Sequence, residues 1–561
     1  MGGEGFVFVA LLLFAALLFA LPFARLLAVG VLSSGTFDLA GLTEALASRS
    51  TQRALLNSLD SALFSAVIAT MIGAGLALVI GLTDVRAKGP LIFAILLPMM
   101  IPPHVTAISW IQALGPSSPL LRTLGIAPEI GSTHPLYSRE GVILLLSIQH
   151  SPLVFLTVRA ALRAQPRELA EAARIAGASV LRVLWRVILP LLLPALFAGF
   201  ALAFVSALGN FGIPALLGIP ARYTTLPVLI WQRMASFGVG MLESVAVLAV
   251  VMAAVAVAVV GILAILQRAA RATLTGPPRP PLAIRLGRWR PLVEALLWAF
   301  IAVVLVLPLA SLLSTALVRT YGLPLNADTL TFENFAEILM RQEVTARAFL
   351  NSGIAAGAAS LILAMVAVFV AHLSSRPQRS RRLVGKLLEG LGDVAYAIPG
   401  IVLSVAFILA FIRPVPVLGL SIYNTLLIIA LAYLTAFLSI ALKPVSAAFG
   451  QLDPVLDDAA RVSGASYWRR MRKVFAPLVA PAAASAAILV FLTAYNEITV
   501  SALLWSAGNE TIGTTIFNYE DGGYTTLAAA MSAVTVAVTV LLMLALDRFG
   551  RHLPPGAVPW R

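Results

Sequence analysis

Apolar runs of about 20 residues or more recur along this chain between short polar stretches, and a helix needs that length to cross a hydrocarbon core with its backbone groups paired internally. Twelve such runs are read, near 6–32, 55–82, 91–114, 140–162, 189–216 and 241–266, then near 292–317, 349–372, 393–412, 421–442, 475–504 and 526–546. They fall as six and six around "QRAARATLTGPPRPPLAIRLGRWRP" (267–291), which is rich in Pro and Arg and too polar to cross. The first run, "FVFVALLLFAALLFALPFARLLAVGVL", lacks a basic stretch ahead of it, so it reads as a spanning helix rather than a cleavable signal. The pattern predicts an all-α polytopic membrane protein with a first half at 1–266, a linker at 267–291 and a second half at 292–561.

Composition agrees, with 60% hydrophobic and only 11% charged residues over 561 positions. The net charge of +14 would suit a nucleic-acid binder, but its distribution points elsewhere. With the N-terminus inside, the loops 83–90, 163–188, 267–291, 373–392 and 443–474, the C-terminal tail and Arg159 hold 28 of the 39 Arg and Lys, against 10 in the opposite loops. That is the bias of cytoplasmic loops, so both termini are expected in the cytoplasm and no nucleic acid is expected as a partner. The chain has no cysteine, which leaves no disulfide or thiolate metal site to propose. No Gly-x-x-x-x-Gly-Lys-[Ser/Thr] phosphate loop occurs; "VGKLLEG" (384–390) lacks the earlier glycine and the hydroxyl residue. The five histidines have no metal-ligand spacing, so neither a metal site nor an enzyme is expected.

The halves repeat one another. "RALLNS" (53–58) returns as "RAFLNS" (347–352), and from 166 to 233 the second half lies on the first at a constant shift of 287. Pro190 then meets Pro477, Pro194 meets Pro481, and "EAARIAGAS" from Glu171 meets "DAARVSGAS" from Asp458. Each copy reads as a short loop helix, with a proline suited to the first turn, acids near its positive end and a glycine to stop it. Small residues at Ala173 and Gly177 suggest one bare face for a close partner, with Arg174, Arg182 and Arg186 free for acidic groups. A basic helix resting on lipid headgroups is the plainer reading of one copy. Lipid contact does not require the wording to be kept twice.

These residues resemble the permease subunits of binding-protein-dependent ABC importers. The family's signature, glutamate-alanine-alanine, three residues, glycine, nine residues, then isoleucine-x-leucine-proline, is matched by Glu171, Ala172, Ala173, Gly177, Val187, Leu189 and Pro190. The second copy, Asp458, Ala459, Ala460 and Gly464, departs at its acid and at Ala476 before Pro477. The resemblance implies a type I importer permease in the bacterial inner membrane, its loops 163–188 and 443–474 each receiving one of two ATPase subunits. ATP and Mg would bind those partners, this chain would bind no cofactor, and a periplasmic or lipid-anchored binding protein would deliver the solute. Fused permeases of this kind look like ferric iron and thiamine importers, with "NFGIPALLGIPARYTTLPVLIWQR" and "YNEITVSALLWSAGNETIGTTIFNYEDGGY" closest to the iron branch. Phosphonate or polyamine import, or secondary transport, are the other readings. Polar groups inside apolar runs are pathway candidates by default. These are Glu497 with Tyr495 and Asn496, Asn210 at the point equivalent to Glu497, and His104 after the double proline of "IPPHV".

Overall fold

A computed structural model describes residues 3–33, 36–37, 40–129, 131–236, 240–269, 284–375, 379–414, 419, 421–453 and 455–549. Among these, nine helices are long and apolar enough to cross a membrane, and three bent pairs bring the number to twelve when each pair is one crossing. In chain order they are α1 (Gly3–Val31), α2 (Arg49–Leu82), α3 (Lys88–Met100 and Pro103–Leu114), α4 (Arg139–Ala164), α5 (Val180–Leu208) and α6 (Met241–Ala269). The second half supplies α7 (Gly287–Ala316), α8 (Glu343–Ser374), α9 (Arg379–Ala397 and Gly400–Phe411), α10 (Leu426–Ala436 and Leu438–Phe449), α11 (Tyr467–Tyr495) and α12 (Thr525–Phe549). The only strands among the described residues form one small hairpin, Leu32–Ser33 with Thr36–Phe37.

Several expected boundaries move. The runs 91–114 and 393–412 are not straight: the arms of α3 meet at 101° and those of α9 at 111°. Proline has no N–H to donate and pushes its neighbourhood to extended backbone. Pro102 (φ −55, ψ 138) and Pro399 (φ −55, ψ 139) therefore break both helices in the same conformation. The runs 189–216 and 475–504 end as helices at Leu208 and Tyr495. Most of the predicted linker, 270–283, lies outside the described residues, as do Pro454 and the tail 550–561. The linker's end is pinned to the turn after α2, where Ile284 N donates to Leu82 O at 2.6 Å and Leu286 N to Asp84 Oδ1 at 2.9 Å.

Packing within each half follows one plan. Helix α2 lies against α4 and α5 as α8 lies against α10 and α11. Small residues let these backbones approach, as expected where lipid gives no hydrophobic drive to pack. Ala62, Ala66, Ala69 and Ala77 are buried on α2, and a Cβ added at Gly73 would come 2.4 Å from Ser151 O of α4. The halves then interlock reciprocally: α1 packs on the second arm of α9, and α7 on the second arm of α3. A π-helical turn precedes Pro190 in α5 and its duplicate Pro477 in α11, which is how each helix absorbs a proline without breaking.

Candidate functional site

The two proline breaks and the ends of α5 and α11 come together between the halves and enclose a cavity of about 430 Å³. Its wall is mostly apolar; among the described residues Glu497 is its one carboxylate, and no lysine or arginine lines it. Glu497 Oε1 accepts from Val500 N at 2.5 Å and Oε2 from Ser501 N at 3.1 Å, capping the short helix Ser501–Leu504. Asn210, its duplicate, accepts from Ile213 N at 3.1 Å at the head of the turn Pro214–Gly218. Both residues thus restart the chain after a helix end, satisfying N–H groups that have no helical partner.

Breaking α3 frees carbonyls that would otherwise accept from the next turn, and such groups must find partners inside a membrane. Asn496 reaches across from the second half and donates to Met100 O at 3.0 Å. Gln149 of α4 donates to Pro98 O at 3.0 Å and Ile101 O at 3.1 Å, while its own oxygen accepts from Thr106 at 2.9 Å. Gly209 stands at the place equivalent to Asn496, and a Cβ there would come 3.3 Å from Pro399 Cβ. One half therefore meets the opposite break with an amide and the other with the bare backbone of a glycine at close approach.

Of the residues singled out in the sequence, Asn210, Asn496 and Glu497 line the cavity, whereas Tyr495 and His104 do not. Tyr495 precedes Asn496 by one residue, about 100° round the helix, and stacks on Phe491 at 5.5 Å. His104 is wholly buried on the second arm of α3, and its backbone abuts Gly212. Gln149 and His150 line the cavity and were missed. Their signal was a polar pair in the middle of the apolar run "LLLSIQHSPL".

The repeated sentence forms the short helices Arg167–Ile175 and Val455–Val462 at the end of the bundle rich in Arg and Lys. Each ends in a Schellman turn. Gly177 N donates to Arg174 O and Ala178 N to Ala173 O; Gly464 N donates to Arg461 O and Ala465 N to Ala460 O. Gly177 has φ +83 and Gly464 φ +74, and a Cβ at either would meet nothing within 4 Å. The left-handed backbone is what calls for glycine here. Of the expected bare face, Gly177 and Gly464 are exposed and Ala173 and Ala460 half-buried, while an outward stripe runs through Leu169, Ala172 and Ile175, matched by Leu456, Ala459 and Val462. Ile175 is 88% exposed and Val462 90%. Glu171 is half-buried and Asp458 exposed.

The two helices differ in how they are held. Asp457 pairs with Arg461 at 2.9 Å and with the buried Arg470 at 3.3 Å, where the first copy has the buried pair Ala170 and Val183. Behind the second copy, His372 of α8 packs against Phe475 at 4.8 Å and Tyr467 at 5.8 Å.

The duplicated bundle, with a cavity where two broken crossings meet the ends of two others, defines a membrane transport protein. The sequence profile of the family described as binding-protein-dependent transport system inner membrane component matches residues 69–272 and again 364–558; the chain belongs to that family and is a permease component of an ABC importer. A probable ABC transporter permease protein of Sinorhizobium fredii is 26% identical over 543 residues, covering 94% of this chain and 92% of its own. A ferric transport system permease protein of Actinobacillus pleuropneumoniae is 24% identical over 511 residues, covering 88% of this chain and 71% of its own. A probable molybdenum ABC transporter permease protein of Haloferax volcanii is 31% identical over 197 residues, covering 35% of this chain and 70% of its own.

Proposed function

We propose that this permease imports ferric iron through the cavity between its halves, powered by two ATPase subunits seated on the helices Arg167–Ile175 and Val455–Val462. The end bearing those helices is then cytoplasmic, in the inner membrane with both termini inside, and a solute-binding protein docks at the opposite end. The observation that carries the reading is the matched pair of outward apolar stripes beside a chain without a phosphate loop. Energy must enter from a partner, and the duplication supplies two seats. For the substrate, the ferric relative aligns across both halves while the molybdenum relative aligns over a third of the chain. Among the described residues the cavity has a carboxylate and no lysine or arginine, which favours a cation over an oxyanion. Hard oxygen donors suit ferric ion, and a transit route needs few of them, since the solute must leave as readily as it enters.

The test is ATP hydrolysis by the full chain reconstituted with the ATPase and binding protein encoded beside it. Binding protein loaded with ferric ion, thiamine, a phosphonate or a polyamine is added in turn. Stimulation by the ferric-loaded protein is expected. Stimulation by the phosphonate-loaded protein alone would overturn the substrate, and stimulation by none would overturn the importer assignment.

A further inference from the structure

Three aromatic rings from both halves meet just beyond the cavity. Phe211, wholly buried, follows the cavity residue Asn210 and lies 5.6 Å from Trp231 and 5.5 Å from Phe517 of the other half; Trp231 and Phe517 meet edge to face at 5.7 Å. With Ala215, Val228, Ile498 and Ala502 they form a small core separate from that of the bundle. Trp231 sits on the helix Leu226–Met234 and Phe517 on Ile512–Asp521. Helices α5 and α11 rise from the loop helices to the cavity, and these two helices follow them in the chain. The rings therefore lie on the cavity's outer side.

The repeated "LNS" of α2 and α8 ties each of these helices to its own half. Asn57 Nδ2 donates to Thr224 O at 3.0 Å, and Leu226 N donates to Ser58 Oγ at 2.7 Å. In the second half, Asn351 Nδ2 donates to Glu510 O at 3.0 Å, and Ile512 N to Ser352 Oγ at 2.9 Å. Each serine thus accepts from the first residue of the helix it holds, an N–H that has no helical partner. Between the halves, by contrast, the three rings touch only by dispersion and ring-edge attraction. Each arm is thus tied to its own half by hydrogen bonds, and it meets the other half through apolar contact alone at the rings and where Leu226–Met234 packs on Gly400–Phe411.

We propose that Phe211, Trp231 and Phe517 are the outer closure of the transport route, opening when the halves part. Asn57, Ser58, Asn351 and Ser352 are the positioning residues that hold its two arms. This rests on the cavity being the route. The chain has no natural cysteine, so Asn210→Cys makes a single reporter in the full-length protein, read with a membrane-impermeant thiol reagent in right-side-out and inside-out vesicles. The reporter is expected to label slowly from outside, and Phe517→Ala to raise that rate about tenfold or more by populating the open state. Ser352→Ala raises it less, and Ser352→Thr, which keeps the hydroxyl, returns it to the starting rate. Unchanged outside labelling in Phe517→Ala, with labelling from inside intact, overturns the closure alone. Labelling from neither face overturns the route as well. Independently of these variants, a bis-methanethiosulfonate linker, which forms a disulfide to each cysteine with loss of methanesulfinate, across Trp231→Cys and Phe517→Cys is expected to stop transport until reductant is added; uninterrupted transport by the bridged protein overturns the proposal.

Discussion

Glu497 does two things at once: its oxygens cap the helix Ser501–Leu504, and it is the one carboxylate on the cavity wall among the described residues. The two roles separate by substitution. Glu497→Gln keeps an acceptor oxygen and loses the charge, so the protein is expected to stay folded while uptake of a cationic solute falls about tenfold, the equivalent of 1.4 kcal/mol. Glu497→Ala also loses the cap, at a further cost of about 1 kcal/mol in stability. Uptake and thermal unfolding measured on both variants decide the matter; native uptake by Glu497→Gln would leave the residue as a cap only. Sequence singles out Glu497 and Asn210, because polar groups in apolar runs stand out, but it does not reveal the capping. That depends on where the helix stops. Gln149 escaped because a neutral amide in a span draws less notice than a carboxylate, although it serves two of the carbonyls freed by the break.

Hydropathy found the crossings but overran the ends of α5 and α11. The stretch after α5, "FGIPALL", is as apolar as the helix before it, so no polarity step marks the stop. The arm Ile512–Asp521 was likewise invisible as a separate element. It lies between the crossings α11 and α12 and carries Glu520, whose carboxyl burial pushes up to about 7. Tyr137, just before α4, and Tyr321, just after α7, face it and stay neutral in this range. The folded value lies above the unfolded carboxylate value of about 4.3, so the folded arm holds its proton more tightly. The arm's stability is then full below about 4.3 and falls as pH rises through 7. Hydrogen exchange across 512–521, corrected for the intrinsic pH dependence, should show protection declining over that window in the native chain and flat in Glu520→Gln. An equal decline in both would assign the effect to another group.

At the scale of the whole molecule, two like halves are interlocked through their first helices and the second arms of their broken ones, so neither half completes its packing alone. The duplication was legible because the loop sentence is nearly the same twice, and the shared "LNS" turns out to hold matching arms in each half. The outward stripe of the loop helices was not legible. Spacing alone marked Ala173 and Gly177 as a bare side, whereas the Schellman turn and the half-burial of Ala173 put Leu169, Ala172 and Ile175 outward. The anchors also differ at one matched pair of positions, Asp457 with Arg470 in one copy and the buried Ala170 and Val183 in the other.

The central claim is that these two stripes carry the ATPase stroke to a route between the halves. ATP-driven uptake into proteoliposomes holding the full chain and its partners tests it most directly, comparing the native chain with Ile175→Asp, Val462→Asp and the double variant. Burying an aliphatic side chain contributes about 1.5–3 kcal/mol. Each single change is therefore predicted to weaken ATPase binding about tenfold or more, and the double variant to insert normally yet lose both the ATPase and uptake. Native uptake by the double variant, with the ATPase still bound, would contradict the account.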